Sequence, residues 1–379
     1  MNKIKIGITG QAGFIGTCLY NVLGLEPAKY ERISFEDNYF HDHDMLRAFV
    51  RQCDIIVHLA AVNRHSDYEK LYEINVELVN LLINTLNQEN LKPHVIFSSS
   101  TQENQDNSYG KSKLEGRRLF EKWAHENDAS FTNMIIPNVF GPFCLPNYNS
   151  FIATFCHKLT HGGEPQILTD SEIKIVYISS LCKHILLDIN NVNKANSPIV
   201  KEILIPHDFS KKVSEILTLC NIFKDQYFDN GIIPVLANVN EINLFNTFRS
   251  YIDMNKYFPF VLKQNIDERG NFVETIRLGI GGQISFSTTK SGVTRGNHYH
   301  TQKIERFIVL KGEAKIQLRR IGTQKKYEFY LDGNDPSYID MPIWYTHNIT
   351  NIGNDDLYTQ FWVNEWYDES KPDTFFENV

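Results

Sequence analysis

Apolar and polar positions alternate from Lys3 to Ile8, with Ile4, Ile6 and Ile8 on one side, and the run then breaks into Thr9-Gly10-Gln11-Ala12-Gly13-Phe14-Ile15-Gly16. A period of two, a cluster of glycines and a return to helical spacing predict a strand, a tight turn and a helix. Asp54-Ile-Ile-Val-His58-Leu59-Ala60-Ala61 reads as a short, fully buried strand, after which Leu71, Ile74, Leu78, Leu82 and Leu86 recur at helical spacing. His94 to Ser100 predicts another strand, ending in three hydroxyls, and Tyr109 opens the next helix. Strands and helices alternate, so the expected sheet is mainly parallel: a doubly wound α/β domain.

Mixed helix and strand signals continue to about residue 250, the texture of a small substrate lobe. Beyond Arg249 to Pro259 the chain turns β-rich, punctuated by Gly270, Gly279 to Gly282 and Gly333. The expected organisation is therefore an α/β domain with its lobe over residues 1–253 and an all-β domain over 254–379. A chain of 379 residues exceeds one comfortable core, which agrees with two domains.

Composition adds mostly exclusions. With 42% hydrophobic and 22% charged residues the chain is of ordinary globular type. A net charge of -7 without a basic run argues against nucleic acid or an anionic membrane as partner. No apolar stretch approaches the ~20 residues of a spanning helix, and no signal-peptide pattern precedes the first strand, so a cytoplasmic location is expected. The six cysteines are scattered, without CxxC spacing, and are expected to be reduced, packed thiols.

Candidate chemistry falls in two places. In the first half, the turn carrying Gly10, Gly13, Phe14, Ile15 and Gly16 lets backbone approach a pyrophosphate at a helix N-terminus, and Leu59, Ala60 and Ala61 end the neighbouring strand. Tyr109 and Lys113 share a helix face. A phenol whose pKa is lowered by a nearby ammonium can pass a proton to a carbonyl oxygen near neutral pH. Glu36 and Asp37, about 20 residues past the glycine turn, suit the adenosine ribose hydroxyls and repel a 2′-phosphate, which leans the cofactor toward NADH over NADPH. Together these features resemble an extended short-chain dehydrogenase/reductase. The resemblance implies Tyr109 as acid/base, Lys113 on the nicotinamide ribose and Ser100 as donor to the substrate oxygen, with Ser99 and Thr101 as alternatives. Ser179 and Ser180 stand where that family usually has paired aspartates.

In the second half, His298 and His300 lie two apart, Glu305 follows, and His347 comes later with Asn351 four residues on. Three imidazoles and a carboxylate suit a divalent first-row ion such as Zn2+. The spacing resembles both motif boxes of the cupin superfamily, with Trp344 where glycine is usual, a change expected to narrow the pocket mouth. The segment around Arg295 to Tyr299 also resembles the dTDP-4-keto-6-deoxysugar 3,5-epimerases, in which that histidine is a base without a metal. In the metal reading Lys303, Tyr299 and Tyr345 are the proton-transfer candidates. In the metal-free reading His298 is the base and Tyr358 the acid.

The whole chain, including HLAAVNR, SSSTQENQDNSYGKSKLEG, RGNHYHTQKIE, YTHNITN and WVNEWYD, resembles the bifunctional UDP-sugar epimerase/reductases of capsule and O-antigen synthesis. The resemblance implies C3 epimerisation of a UDP-2-acetamido-2,6-dideoxy-4-keto-hexose in the cupin. NAD(P)H-dependent C4 reduction in the first domain would follow, toward a UDP-N-acetyl-L-fucosamine-type sugar. It also implies Asn63, Arg64, Asn138 and Arg295 as substrate contacts, and a homodimer held through the cupin. The alternative is a reductase of a UDP-4-keto sugar whose cupin only binds metal and dimerises.

Overall fold

The computed structural model describes residues 3–192 and 197–379. Its packing divides the chain into two compact units, Met1–Phe151 with Ser171–Lys212, and Ile152–Asp170 with Val213–Val379. This differs from a single cut near residue 253: the helices of the lobe pack with the β-rich part of the chain.

The first unit is built on six parallel strands. Five follow one another as β1 (Ile4–Thr9), β2 (Tyr30–Ile33), β3 (Ile55–His58), β4 (His94–Ser100) and β5 (Phe131–Ile136), and Val200–Leu204 supplies the sixth. Their order in the sheet is β2, β1, β3, β4, β5 and Val200–Leu204, every pair parallel. Helices α1 (Phe14–Leu23), α2 (His43–Val50), α3 (Tyr68–Glu89) and α4 (Ser108–Asn127) make the crossovers. The central strands are buried on both faces, Ile6, Ile8, Ile56, Val57 and Val95 being inaccessible to solvent, as expected of a parallel sheet covered by helices. Beneath it Phe97, Phe120, Phe131 and Trp123 form an aromatic core. Asp67 and Asn107 set where α3 and α4 begin by accepting their free first-turn amides, and Asn90 and Asp128 end them in the left-handed conformation. A small sheet of Asn138–Phe140, Glu172–Tyr177 and Phe209–Lys212 completes the unit.

The second unit joins helices Phe151–Thr160, Val213–Phe223 and Val239–Arg249 to two five-stranded antiparallel sheets. One sheet runs Phe260–Val261, Ser337–Met341, Glu305–Lys311, Leu357–Val363 and Gln283–Thr289; the other runs Lys326–Asp332, Glu313–Arg320, Tyr345–Asn351, Thr294–Tyr299 and Phe375–Phe376. With the exception of Glu313–Arg320 and Lys326–Asp332, neighbours in one sheet, consecutive strands from Gln283 to Val363 switch sheets, which is the double-stranded β-helix of a cupin. The outer face of the first sheet is covered in part through one buried network. Arg306 donates to Asp340 (2.7 and 2.9 Å) and to the carbonyl of Gly231 (2.8 Å), and the Tyr227 hydroxyl donates to Asp340 (2.7 Å). Arg249 reaches the carbonyl of Met341 at 3.1 Å. All six cysteines are free thiols.

Candidate functional site

The first site lies at the carboxyl ends of β1, β3 and β4. Gly10 has φ +69, and a Cβ there would stand 2.9 Å from the backbone of Ala60, so the turn passes directly over the end of β3. A Cβ on Gly16 would meet the Gly10 carbonyl at 2.3 Å. Gly13 opens α1 without any side-chain cap, leaving first-turn amides available to an anion. Gln11 accepts the Phe35 amide at 3.1 Å, which ties the glycine turn to the exposed acidic turn of Glu36 and Asp37 beyond β2. Leu59, Ala60 and Ala61 are half-buried beside them.

Tyr109 and Lys113 sit one turn apart on α4, with the ammonium 5.7 Å from the phenol ring centre and 4.9 Å from that of Phe97. Burial pulls the Lys113 ammonium down to about 7. The sequence leads one to expect a lowered Tyr109 phenol; instead burial, with the neighbouring Tyr148, pushes it up to about 12. Both causes disfavour the charged phenolate. Ser100 ends β4, where its hydroxyl accepts the Gln102 amide at 3.2 Å and keeps its own proton to donate. Ser99 is committed to the buried Glu103 at 2.5 Å, which separates the two serine candidates. His58 bonds Thr9 at 2.9 Å and is held neutral, its pKa pushed down to about 3 by burial and by Lys113. The Asn63 amide contacts the Tyr148 hydroxyl at 3.4 Å, while Arg64 and Asn138 are exposed.

The second site lies in the barrel. His298 and His347 face each other in register, and a bulge formed by Gly296 (φ +97) and Asn297 (φ +60) re-aims His298. Glu305 arrives from the other sheet. One donor atom from each of His298, His300, Glu305 and His347 lies within 4.8 Å of all the others. Glu305 Oε2 stands 3.0 Å from His300 Nε2 and 3.3 Å from His347 Nε2. These three atoms are buried and none has hydrogen-bond alignment with a partner, so they point at a common centre more than at each other. Orphaned buried donors of this kind fit a divalent ion. The outer nitrogens are occupied: His347 Nδ1 on the Tyr345 carbonyl at 3.2 Å and His300 Nδ1 on the Asp373 carbonyl at 2.5 Å. Burial would raise the Glu305 carboxyl, but His300 and His347 outweigh it and hold it well below the usual range.

Other expected residues are placed differently. Tyr358 follows Leu357 on a regular strand in which Val363 pairs with Glu305, so Tyr358 projects from the opposite face, away from the cluster. Arg295 is exposed and lies on the same strand as His298, but it donates away to Thr289 and Thr288 at 3.0 Å each. Trp344 has φ +63, the region its family's glycine favours, and is buried with its ring on Tyr299 (5.8 Å, 28°), not free at a mouth. Lys303 is buried and donates to the Pro372 carbonyl at 2.6 Å.

Sequence reasoning missed Glu365 and Asp373. The ladder ending at Glu305 and Val363 extends through the Asn364 amide to the Ile304 carbonyl (3.2 Å), which brings Glu365 level with Lys303. Glu365 is exposed for much of its surface, yet partial desolvation, opposed by Lys303 and His300, pushes its carboxyl upward. Both residues lie where the chain has no regular strand, so no periodicity flagged them.

The chain matches the NAD dependent epimerase/dehydratase family over residues 6–201 and a polysaccharide biosynthesis C-terminal domain over residues 265–375. It is 31% identical over 377 residues, 98% of either chain, to a UDP-2-acetamido-2,6-beta-L-arabino-hexul-4-ose reductase from Pseudomonas aeruginosa. It is similar to the crystal structure of the capsular polysaccharide assembling protein CapF from Staphylococcus aureus at 34% identity and TM-score 0.61, covering 99% of this chain and 100% of that one. A UDP-glucose 4-epimerase from Thermotoga maritima shares the fold of the first part at 20% identity and TM-score 0.51, covering 59% of this chain and 83% of that one.

Proposed function

The chain belongs to the NAD dependent epimerase/dehydratase family, with a polysaccharide-biosynthesis domain behind it, and from that membership and its likeness to the staphylococcal capsule protein we propose that it is a two-site nucleotide-sugar enzyme. Its substrate is a UDP-activated 2-acetamido-2,6-dideoxy-4-keto-hexose, epimerised at C3 in the barrel and then reduced at C4 in the α/β unit. The observation that carries this reading is the coexistence of a half-buried Tyr109 beside the buried Lys113 with four converging donor atoms in one chain.

When bound, the nicotinamide supplies the hydride. Gly10, Gly13 and Gly16 admit the pyrophosphate to the start of α1, and Lys113 holds the nicotinamide ribose. Glu36 and Asp37 accept the adenosine ribose hydroxyls, which favours NADH over NADPH. Ser100 donates to the ketone oxygen, and Tyr109 gives its proton to the alkoxide as the hydride arrives. Asn63, Arg64 and Asn138 would serve as contacts to the sugar nucleotide.

His298, His300, Glu305 and His347 would hold a zinc-like ion, which would supply Lewis acidity toward the ketone and rigidity to the barrel. A ketone acidifies the carbon beside it, so inversion at C3 needs a group that takes the proton and one that returns it. Glu365 and Lys303, level with each other beside the cluster, fill those roles. C4 reduction then removes the acidity and locks the new stereocentre. Pairing of two chains through the barrel is supported by the exposed Ile284 and Phe286 on its edge strand.

The test is incubation of the 4-keto sugar nucleotide in D2O with and without NADH, followed by NMR. Deuterium should enter C3 without cofactor, in wild type and in Tyr109→Phe, while reduction should need both NADH and Tyr109. Absence of C3 exchange in the intact chain would overturn the two-site reading and leave a reductase alone.

A further inference from the structure

The segment around Asp373 is joined to the ligand-bearing turn of the barrel more densely than a strand edge requires. Phe375–Phe376 pairs with His298 and Tyr299, the strand of the first ligand. Just before that strand, Asp373 adopts φ +39, a left-handed backbone costly to a residue with a side chain. From there its carboxylate accepts from the Thr301 amide at 3.0 Å, the Thr301 hydroxyl at 2.6 Å, the Gln302 amide at 3.0 Å and the Lys303 amide at 3.2 Å. These donors come from three of the four residues between His300 and Glu305; the fourth, Ile304, gives its amide to Asn364 at 2.8 Å. The backbone carbonyl of the same residue accepts from His300 Nδ1.

We propose that Asp373 is the positioning residue of the barrel centre: its carboxylate clamps the turn that carries His300, and its carbonyl fixes the imidazole as the Nδ1–H tautomer with Nε2 aimed at Glu305 and His347. The carbonyl can only accept, so the ring nitrogen facing it must carry the proton. That leaves the Nε2 lone pair for the cluster. A carboxylate whose oxygens are filled by four donors is not itself a ligand. A ring nitrogen held by an outer acceptor is worth roughly 10- to 100-fold in metal affinity at comparable centres. In its metal consequence the proposal rests on the zinc reading above; in its tautomer consequence it does not.

Two readouts on the full-length protein separate those layers. In metal-free protein labelled with nitrogen-15 at histidine, read at a pH alkaline enough to leave the ring neutral because, against burial, Glu305 beside Nε2 favours the charged form, His300 should be held as the Nδ1–H tautomer, becoming a mixture in Asp373→Ala. Zinc affinity, read by competition with a chromophoric chelator, should fall about 10- to 100-fold in Asp373→Ala. Asp373→Asn, which keeps an acceptor for the Thr301 hydroxyl but sets an NH2 against the Gln302 and Lys303 amides, should recover only part of that loss. The cobalt(II)-loaded protein should show a shifted visible spectrum in Asp373→Ala, which a change of overall stability alone would not produce. An unchanged tautomer and unchanged affinity in Asp373→Ala would overturn the proposal while leaving zinc binding intact. Wild-type protein that takes up no zinc would remove the metal reading, and the tautomer measurement would then decide the role of Asp373. Should the alanine variant fail to fold, the same readouts on Asp373→Asn decide.

Discussion

Removing the carboxylate of Asp340 should destabilise the second unit heavily, and the structure indicates by how much. Asp340 is inaccessible to solvent and accepts from Arg306 twice and from Tyr227 once. Burial alone would weaken the Arg306 guanidinium as a base, but Asp340 more than compensates and raises it. The guanidinium also lies 3.6 Å from the Tyr338 ring centre, and its remaining contact is the Gly231 carbonyl at 2.8 Å. In Asp340→Ala those two contacts remain, yet a buried cation is left without its counter-charge, which costs about 3–5 kcal/mol. For a cooperative unit of this size that corresponds to a fall in Tm of roughly 6–20 °C. Calorimetry of the full chain resolves it. Arg306→Met combined with Asp340→Leu should lie well above Asp340→Ala, because the double change removes the orphaned charge along with its partner. If the double variant melts as low as the single one, or Asp340→Ala costs less than about 1 kcal/mol, charge compensation is not what stabilises this network.

Tyr109→Phe should cut reduction by about 100- to 10,000-fold, with NADH binding nearly unchanged, as steady-state rates and a fluorescence titration would report. Gly16→Ala places a methyl 2.3 Å from the Gly10 carbonyl and forces about 1 Å of withdrawal; NADH affinity should fall at least about tenfold, and an unaltered Kd would contradict the close-approach argument. Glu365→Gln should lower C3 deuterium exchange by about 100-fold without affecting reduction of a C3-inverted ketone, whereas unaltered exchange would return the base to another side chain. Lys113, held near 7 when folded, is protonated in the unfolded chain up to about 10.4. Between those values the unfolded state binds more protons, so this group makes stability rise with pH, by at most about 1.4 kcal/mol per unit. Urea titrations of cofactor-free protein from pH 7 to 9.5 should show a steeper rise in wild type than in Lys113→Met.

The α/β unit was legible because its signals are local. Ile4, Ile6 and Ile8 alternate, the glycines stand where backbone must pass close to Ala60, and Tyr109 and Lys113 are one turn apart. The four donor residues were legible for the same reason, since motif spacing on strands survives into three dimensions. What escaped depends on long-range pairing. The side of the sheet taken by Tyr358 follows only once Val363 is known to face Glu305. Asp373 lies 73 positions from His300 and reaches it through an irregular turn. The raised phenol of Tyr109 reflects burial, which a list of neighbouring charges does not reveal.

The path of the chain between its two units carries a consequence for synthesis on the ribosome. Residues 152–170 pack with Val213–Val379, while Ser171–Lys212 returns to complete the parallel sheet. Helix Phe151–Thr160 therefore emerges about 50 residues before the first of its later partners, with apolar positions such as Ile152, Phe155 and Cys156 that end fully covered. Because translation proceeds at about 5–20 residues per second, that helix waits several seconds without its cover. The parallel sheet has meanwhile closed around it in sequence, so the α/β unit can mature first while the helix remains the exposed, aggregation-prone stretch of the nascent chain. Fragments cut after residue 212 recreate that waiting state permanently, because Cys220 and Tyr251, which meet Cys156 and Thr160, lie beyond the cut, and expression of the halves as separate polypeptides should suffer for it even where each catalytic constellation is complete.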